Sequence, residues 1–297
     1  MKGISVIIPT LNRTDFLIPT LHDILRQQVN QPYEIIVVDQ TQDKDQQVIT
    51  LADRHPLLHY YHIDFFRGLP EARNYGAQKA QYDVLVYIDD DIECQPDFLQ
   101  RHWNTFLELP DVAVVAGGIT EKFKSNPDGK IGQFVSKTAT PLRSFHKEGF
   151  LEVDHAGGGN FSIRKEFFFK VSGMDENLTK GAALYEETDL CLRVKEAGGK
   201  IWFNSAAHVF HLAADTGGCR VADIDKYVYN LVRNRSLIIM RHLKGLDKVT
   251  ARAELFRLVL AYTISYKKLA LIKSFFTARK EGEQTGMKPI RMTVYER

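Results

Sequence analysis

The sequence predicts an α/β fold: a mostly parallel central sheet flanked by helices, with a helical extension at the C-terminus. Three observations predict it. Short β-branched runs alternate with segments of helical period, the runs are apolar at every residue rather than every second one, and they end abruptly in polar residues. Continuous apolar strands separated by helices are what a parallel sheet covered on both faces requires. At 297 residues the chain can form one large domain or two modest ones, and burying a substantial core is no difficulty.

The elements follow in order. Ile4-Ser5-Val6-Ile7-Ile8 is the first strand, ended by Pro9-Thr10. A helix is predicted over about 15–28, where Leu17, Leu21, Ile24 and Leu25 recur at helical spacing. Ile35 to Val38 forms the next strand and closes in Asp39, and a weaker strand runs from Leu57 to His62. A helix from about Pro70 to Ala80 leads to Val84-Leu85-Val86-Tyr87-Ile88, which stops at Asp89-Asp90-Asp91. A helix after Pro96 and the strand Val112 to Val115 continue the alternation. From about Ser125 to Asp154 the pattern is irregular; His155-Ala156-Gly157-Gly158-Gly159-Asn160 then precedes a helix from Arg164, with no strand expected between. Glu186-Glu187-Thr188-Asp189 opens a helix that Gly198-Gly199 stops. Ligands of such sheets bind beyond the carboxyl ends of the strands. Thr10, Asn12, Asp39 and Asp89 to Asp91 are therefore expected along one edge.

Composition narrows the class. Hydrophobic residues at 44% and charged residues at 26% exclude collagen-like and disordered chains. Cys94, Cys191 and Cys219, widely spaced, form neither a disulfide framework nor a CxxC knuckle, which points to a reducing compartment. The N-terminus runs straight into a strand without a signal-peptide pattern, and no apolar stretch reaches about 18 residues. A cytoplasmic location is expected.

Charge divides the chain at Asp215. Residues 1–215 carry 22 basic and 30 acidic side chains, and residues 216–297 carry 17 and 7. The division predicts a body over 1–215 and a basic, mainly helical region over 216–297. Arg233, Arg235, Arg241 and Lys244 interleave there with apolar residues, and Leu255, Leu258, Val259, Tyr262, Tyr266, Leu269, Ile272 and Phe276 recur at helical spacing. Such a helix either lies on an anionic membrane surface, here the inner face of the plasma membrane, or packs on the body with its basic face in water. No nucleic-acid motif accompanies the charge, so nucleic acid is not an expected partner.

Three consecutive aspartates after a buried strand repel one another, and buried unpaired charge costs several kcal/mol. A divalent cation bridging to phosphate oxygens resolves the repulsion; capping of the next segment in water is the alternative.

The ordered set SVIIPTLNR, EIIVVDQT, GLPEARNYG, VYIDDDI, GGGNFSIRKE and EETDLCLRVKEAGG resembles the family 2 glycosyltransferases of GT-A fold over most of residues 3–220. The resemblance implies an inverting transferase that takes a UDP-, dTDP- or GDP-linked sugar and delivers it to a saccharide or lipid-linked saccharide of the cell envelope or its polysaccharides. It implies a nucleotide-binding loop at Pro9, Thr10 and Arg13, and a base-reading Asp39, with Gln40 where the family commonly has a second acid. Arg73, beside Asn74, falls near the diphosphate, Asp89 near the ribose, and Asp90 supports the loop or binds nucleotide. Asp91 binds Mg²⁺ or Mn²⁺, with His211 as a further ligand ahead of His208. By register Glu187 is the base that takes the acceptor proton, with Glu186 the alternative. A like-charged neighbour and partial burial raise the pKa of one carboxylate of such a pair.

Gly158, Gly159 and Asn160 are implied to face donor sugar and acceptor, where the missing Cβ lets backbone approach a sugar. Thr216 to Arg220 is either a glycine-hinged lid that brings Arg220 to the diphosphate or a plain loop. Two other readings compete. A sugar-1-phosphate nucleotidyltransferase needs a Gly-rich loop after the first strand, and IIPTLNR has no glycine. A non-catalytic nucleotide-sugar binder has no need of both acidic motifs.

Overall fold

The computed structural model describes residues 1–123, 125–181, 184–213, 221 and 223–295. The N-terminal half alternates as its apolar runs require: β1 (Ile4–Thr10), α1 (Thr14–Leu25), β2 (Tyr33–Asp39), α2 (Gln46–Arg54), β3 (Leu58–His62), α3 (Leu69–Lys79) and β4 (Val84–Ile88). β1 pairs in parallel with β2 and β4, and β2 with β3. Residues alternate between two apolar layers. Ile7, Ile36, Val38, Leu85 and Tyr87 face one, and Val6, Ile8, Ile35, Val37, Val84 and Val86 face the other. Both layers are covered, which is why the centres of β1, β2 and β4 are apolar on both sides; the buried Ser5 and Glu34 near the starts of β1 and β2 satisfy each other at 2.6 Å.

Beyond β4 the sheet becomes mixed. β5 (Ile92–Cys94) follows the triple aspartate, and α4 (Phe98–Glu108) leads to β6 (Val112–Glu121), longer than its apolar run. The irregular stretch holds a small ribbon, β7 (Gln133–Val135) with β8 (Thr140–Leu142), and β9 (Phe150–Glu152). A strand then appears where none was expected. β10 (Asn160–Arg164) inserts antiparallel between β4 and β6 and feeds directly into α5 (Lys165–Lys170). α6 (Glu186–Glu196) precedes β11 (Lys200–His211), which runs parallel to β6 and antiparallel to β5 and β9. The sheet order is β3-β2-β1-β4-β10-β6-β11-β5, with β9 beside β11.

Three helices follow: α7 (Ile224–His242), α8 (Gly245–Tyr266) and α9 (Ala270–Gly286). Val228, Val232, Ile239, Leu255, Val259, Leu271 and Phe275 form their common core. α7 and α9 pack closely because Gly282 has no side chain: a Cβ there would lie 2.1 Å from the carbonyl oxygen of Arg233. The basic residues of α7 do not form a solvated face. Arg233 donates to the Asn177 carbonyl at 2.7 Å and to Glu281 at 2.9 Å. Arg235 holds the Thr138 carbonyl, and Arg241 bridges Asp175 and Asp189. The segment is therefore bolted to the α/β body by the arginines that gave it its charge. After α9 the chain returns to α3, where Gln78 exchanges hydrogen bonds with Thr293 and Tyr295. Among the described residues no helix is long and apolar enough to cross a membrane.

Candidate functional site

The polar ends of β1, β2 and β4 lie along one edge of the sheet, as strand polarity requires. The turn after β4 is shaped from beneath by α1: the Thr20 hydroxyl donates to the Asp90 and Ile92 carbonyls and accepts from the Ile92 amide. Asp90 is thereby turned toward the β1–α1 loop. It accepts from the Thr10 hydroxyl at 2.6 Å and pairs with Arg13 at 2.9 Å. Burial raises its pKa to about 6, against Arg13 and Thr10. Pro9 is buried next to the end of β1, and Thr10, also buried, closes the strand. Asp39 is buried, with its oxygens taken by the Thr41 amide at 2.8 Å and the Tyr60 hydroxyl at 2.7 Å. Gln40, standing where an acid is common, accepts from the Gly68 amide at 2.6 Å.

His211 reaches the aspartates through the sheet. A register shift between Asn204 and His208 lets β11 follow β6 to its end, and β5 then pairs His211 with Ile92, next to Asp91. Its Nε2 lies 3.2 Å from Asp91 and 3.8 Å from Asp89. Its Nδ1 is held by Glu121 at 3.0 Å, the kind of carboxylate–imidazole contact that orients a metal-ligating ring. Burial disfavours the charged ring, but Asp91, Glu121 and Asp89 raise its pKa to about 10. Ligand atoms of Asp89, Asp91 and His211 all lie within 4.8 Å of one another. Adjacent donors around an ion with bonds near 2.1 Å sit about 3 Å apart, so this oxygen-rich set fits a hard divalent ion. His208 instead meets Thr120 at 2.9 Å, outside the group.

Arg73 links this group to the paired glutamates. It is only 1% exposed in its side chain, pairs with Glu186 at 2.5 Å, donates to the Gly158 carbonyl at 2.7 Å and lies 3.6 Å from Asp89. That differs from the expected nucleotide contact: the guanidinium is enclosed by protein groups and organises the site from within. Asn74 likewise faces inward, bonded to the backbone of Met174 and to Glu176. Glu186 and Glu187 open α6 after Tyr185, whose φ of 77° is a left-handed conformation that non-glycine residues adopt at a cost of about 1–3 kcal/mol. Burial, then Glu187, pushes the Glu186 pKa up to about 8, against Arg73. Glu187 pairs at 3.0 Å with Arg143, which is half-exposed.

The glycine run joins the two acidic groups. A Cβ on Gly159 would lie 2.7 Å from Asp89 Oδ2, and one on Gly158 would lie 3.5 Å from the Glu187 carboxyl carbon. Asn160 corrects the expectation that it faces the sugar. Its side chain is buried on the far side, donating to the Gly118 and Ala207 carbonyls at 2.9 and 2.8 Å and accepting from His102 at 2.9 Å. β10 explains this, because a strand sends successive side chains to opposite faces. Arg220 and the segment before it lie outside the described residues. A cavity of about 120 Å³ opens between Asp89, Glu121, Arg143, the glycines and His211. Glu121 and Arg143 carry no motif signal. The only hint was chemical: a histidine ligand needs an acceptor on its other nitrogen.

Residues 5–171 match the family profile described as "Glycosyl transferase family 2". The chain belongs to that family. It is a nucleotide-sugar-dependent glycosyltransferase. It is 26% identical over 216 residues to a glucosyl-dolichyl phosphate glucuronosyltransferase of Haloferax volcanii, covering 70% of this chain and 68% of that protein. It is 27% identical over 117 residues to a chondroitin synthase of Pasteurella multocida, covering 38% of this chain but only 12% of that protein. The fold is that of S. aureus TarS 1–349, solved with UDP-GlcNAc, at TM-score 0.67 and 16% identity over 93% of this chain and 79% of that one. GalNAc-T7, solved with UDP, GalNAc and Mn²⁺, superposes at TM-score 0.65 and 17% identity over 97% of this chain and 56% of that one. This family 2 chain thus has the GT-A fold.

Proposed function

We propose that this glycosyltransferase moves a sugar, with inversion at the anomeric carbon, from a nucleoside-diphosphate donor to a hydroxyl of a saccharide or lipid-linked saccharide used in envelope or polysaccharide synthesis. The observation that carries the reading is the glycine bridge, which abuts Asp89 at one end and Glu187 at the other. A donor laid along it has its diphosphate beside Asp89, Asp91 and His211 and its sugar beside Glu187. Relatives named a glucosyl-dolichyl phosphate glucuronosyltransferase and a chondroitin synthase support this acceptor class.

Asp91 and His211, joined by Asp89, which was expected beside the ribose, would hold an ion such as Mg²⁺ or Mn²⁺, and that ion would supply Lewis-acid neutralisation of diphosphate charge. Glu187 is the base: it takes the proton from the acceptor hydroxyl as that oxygen bonds to the anomeric carbon and the bond from that carbon to the phosphate oxygen breaks, its electron pair leaving with the nucleoside diphosphate. Two contacts favour Glu187 over Glu186. Glu186 is closed off by the fully buried Arg73, whereas the partner of Glu187, Arg143, lines the open cavity. Thr10, Arg13, Asp39 and Asp90 form the nucleotide end. Glu187→Gln is expected to lower transfer about 10²–10⁴-fold while nucleoside-diphosphate affinity persists. Release of diphosphate from a panel of nucleotide sugars with acceptor present measures this; undiminished transfer by the variant removes the base from Glu187.

A further inference from the structure

The surface of the C-terminal helices carries an arrangement that the transfer site does not use. From Leu255 to Lys280 the chain has no acidic residue and six basic ones: Arg257, Lys267, Lys268, Lys273, Arg279 and Lys280. α9 divides this stretch cleanly. Leu271, Phe275, Ala278 and Gly282 recur on its buried face, while Leu269, Lys273, Phe276 and Lys280 recur at the same helical spacing on its exposed face. The turn between α8 and α9 is more exposed still. Ile264 and Leu269 are 77% and 79% exposed, and Tyr266 also stands in solvent. Lys267 ends α8 in a left-handed conformation, which turns the chain sharply and puts these side chains at the apex of the helix pair. Lys268 is held by Asp225 at 2.7 Å, tying the turn to the first turn of α7. Among the described residues, no ion pair holds Lys267 or Lys273.

Large apolar side chains in open solvent need a covering partner, and alternating lysines select one that is anionic and extended. A bilayer with acidic headgroups meets both demands: apolar tips enter the acyl boundary and ammonium groups stay at the phosphates. A folded protein partner would have to bury the lysines or pair them singly. We propose that the α8–α9 turn and the outward face of α9 dock the enzyme on an anionic lipid surface. The arrangement rests on these helices alone and does not depend on the roles given to the carboxylates.

Flotation of the full chain with vesicles of phosphatidylcholine containing about one-third phosphatidylglycerol, beside pure phosphatidylcholine vesicles, tests the proposal. The wild-type chain is expected to float with the anionic vesicles and stay behind with the neutral ones. Ile264→Ser with Leu269→Ser, and separately Lys267→Glu with Lys273→Glu, are each expected to weaken anionic binding at least about tenfold. UDP and GDP binding in the same preparations stays unchanged, which separates lost docking from lost folding and from failure of the transfer reading. A wild-type chain that does not float, or either double variant floating at wild-type strength, overturns the proposal. So does a concentration-dependent dimer that Leu269→Ser dissolves, since the face then belongs to a second copy of the chain.

Discussion

Two ionic clusters meet at the first turn of α6, and they treat their carboxylates in opposite ways. Asp189 receives Arg193 at 2.7 Å, Arg241 at 2.7 Å and His242 at 2.9 Å, while Arg241 also holds Asp175 and His242 holds Glu196. Three cations face three carboxylates. Burial opposes ionisation of Asp189, yet Arg193, His242 and Arg241 hold its pKa far below the usual carboxylate range. Around Glu186 and Glu187 the balance is reversed. Asp89, Asp90, Asp91, Glu121, Glu186 and Glu187 share Arg13, Arg73, Arg143 and His211. Burial is the leading cause that pushes Asp89, Asp90 and Glu186 upward. Unequal compensation separates scaffold from site. Among the described residues, the first cluster matches each carboxylate with a basic group, whereas the second gathers six carboxylates around four basic groups, the setting in which a cation and a polar substrate bind.

The sharpest way to break this comparison is to neutralise one carboxylate in each cluster. Asp189→Asn leaves three buried cations facing one fewer charge and is expected to cost about 3–5 kcal/mol of stability. Asp91→Asn removes like-charge repulsion together with the pairing to His211, so stability is expected to fall by less than in Asp189→Asn, while transfer falls about 10²–10³-fold. Urea unfolding of both variants beside transfer assays decides it. Equal losses of stability would show that the two clusters do the same work.

A second contrast sets His102 against His211. Both are enclosed, but His102 sits among neutral groups, between Asn160 at 2.9 Å and Ser162 at 2.8 Å. Burial lowers its pKa to about 4, against the Asn160 hydrogen bond, whereas the carboxylates around His211 raise that ring to about 10. For His102 the folded value lies below the unfolded one near 6.5, so the unfolded chain binds the proton more readily. Its contribution is intact above about pH 6.5 and is lost as the pH falls toward 4, reaching about 3 kcal/mol. Urea midpoints across that range, compared with His102→Gln, measure the effect; a variant with the same pH slope assigns the loss elsewhere.

How far the sequence carried depended on whether a feature was local. β1, β2 and β4 were legible because buried parallel strands read as unbroken apolar runs, and their polar ends marked the sheet edge. β10 was not: five residues behind a glycine run give no period to count, and missing it turned Asn160 toward the sugar instead of the core. The aspartate turn and the glutamate pair were visible as motifs, but Arg143 and Glu121 were not, since each arrives from a separate strand end and only tertiary pairing brings it in. The partners of Arg233, Arg235 and Arg241 were not legible, because the sequence shows that these residues interleave with apolar ones but not which carboxylates and carbonyls of the body they reach.

The gentlest test of the cluster comparison adds an ion instead of removing a side chain. Asp89, Asp91 and His211 present donors at separations that suit a divalent ion, and burial leaves Asp89 poorly compensated by His211 and Arg73. An ion that binds only the folded chain stabilises it by mass action, about 1.4 kcal/mol at ten times its dissociation constant. For a chain of this size that corresponds to a rise in Tm of about 2–4 °C. Mn²⁺ is expected to produce the shift in the wild-type chain and EDTA to reverse it. Asp91→Asn should abolish the shift. A surface variant such as Lys273→Glu should keep it, because its charge lies on the outward face of α9. A shift that survives in Asp91→Asn would mean that the ion binds elsewhere than at the head of α6.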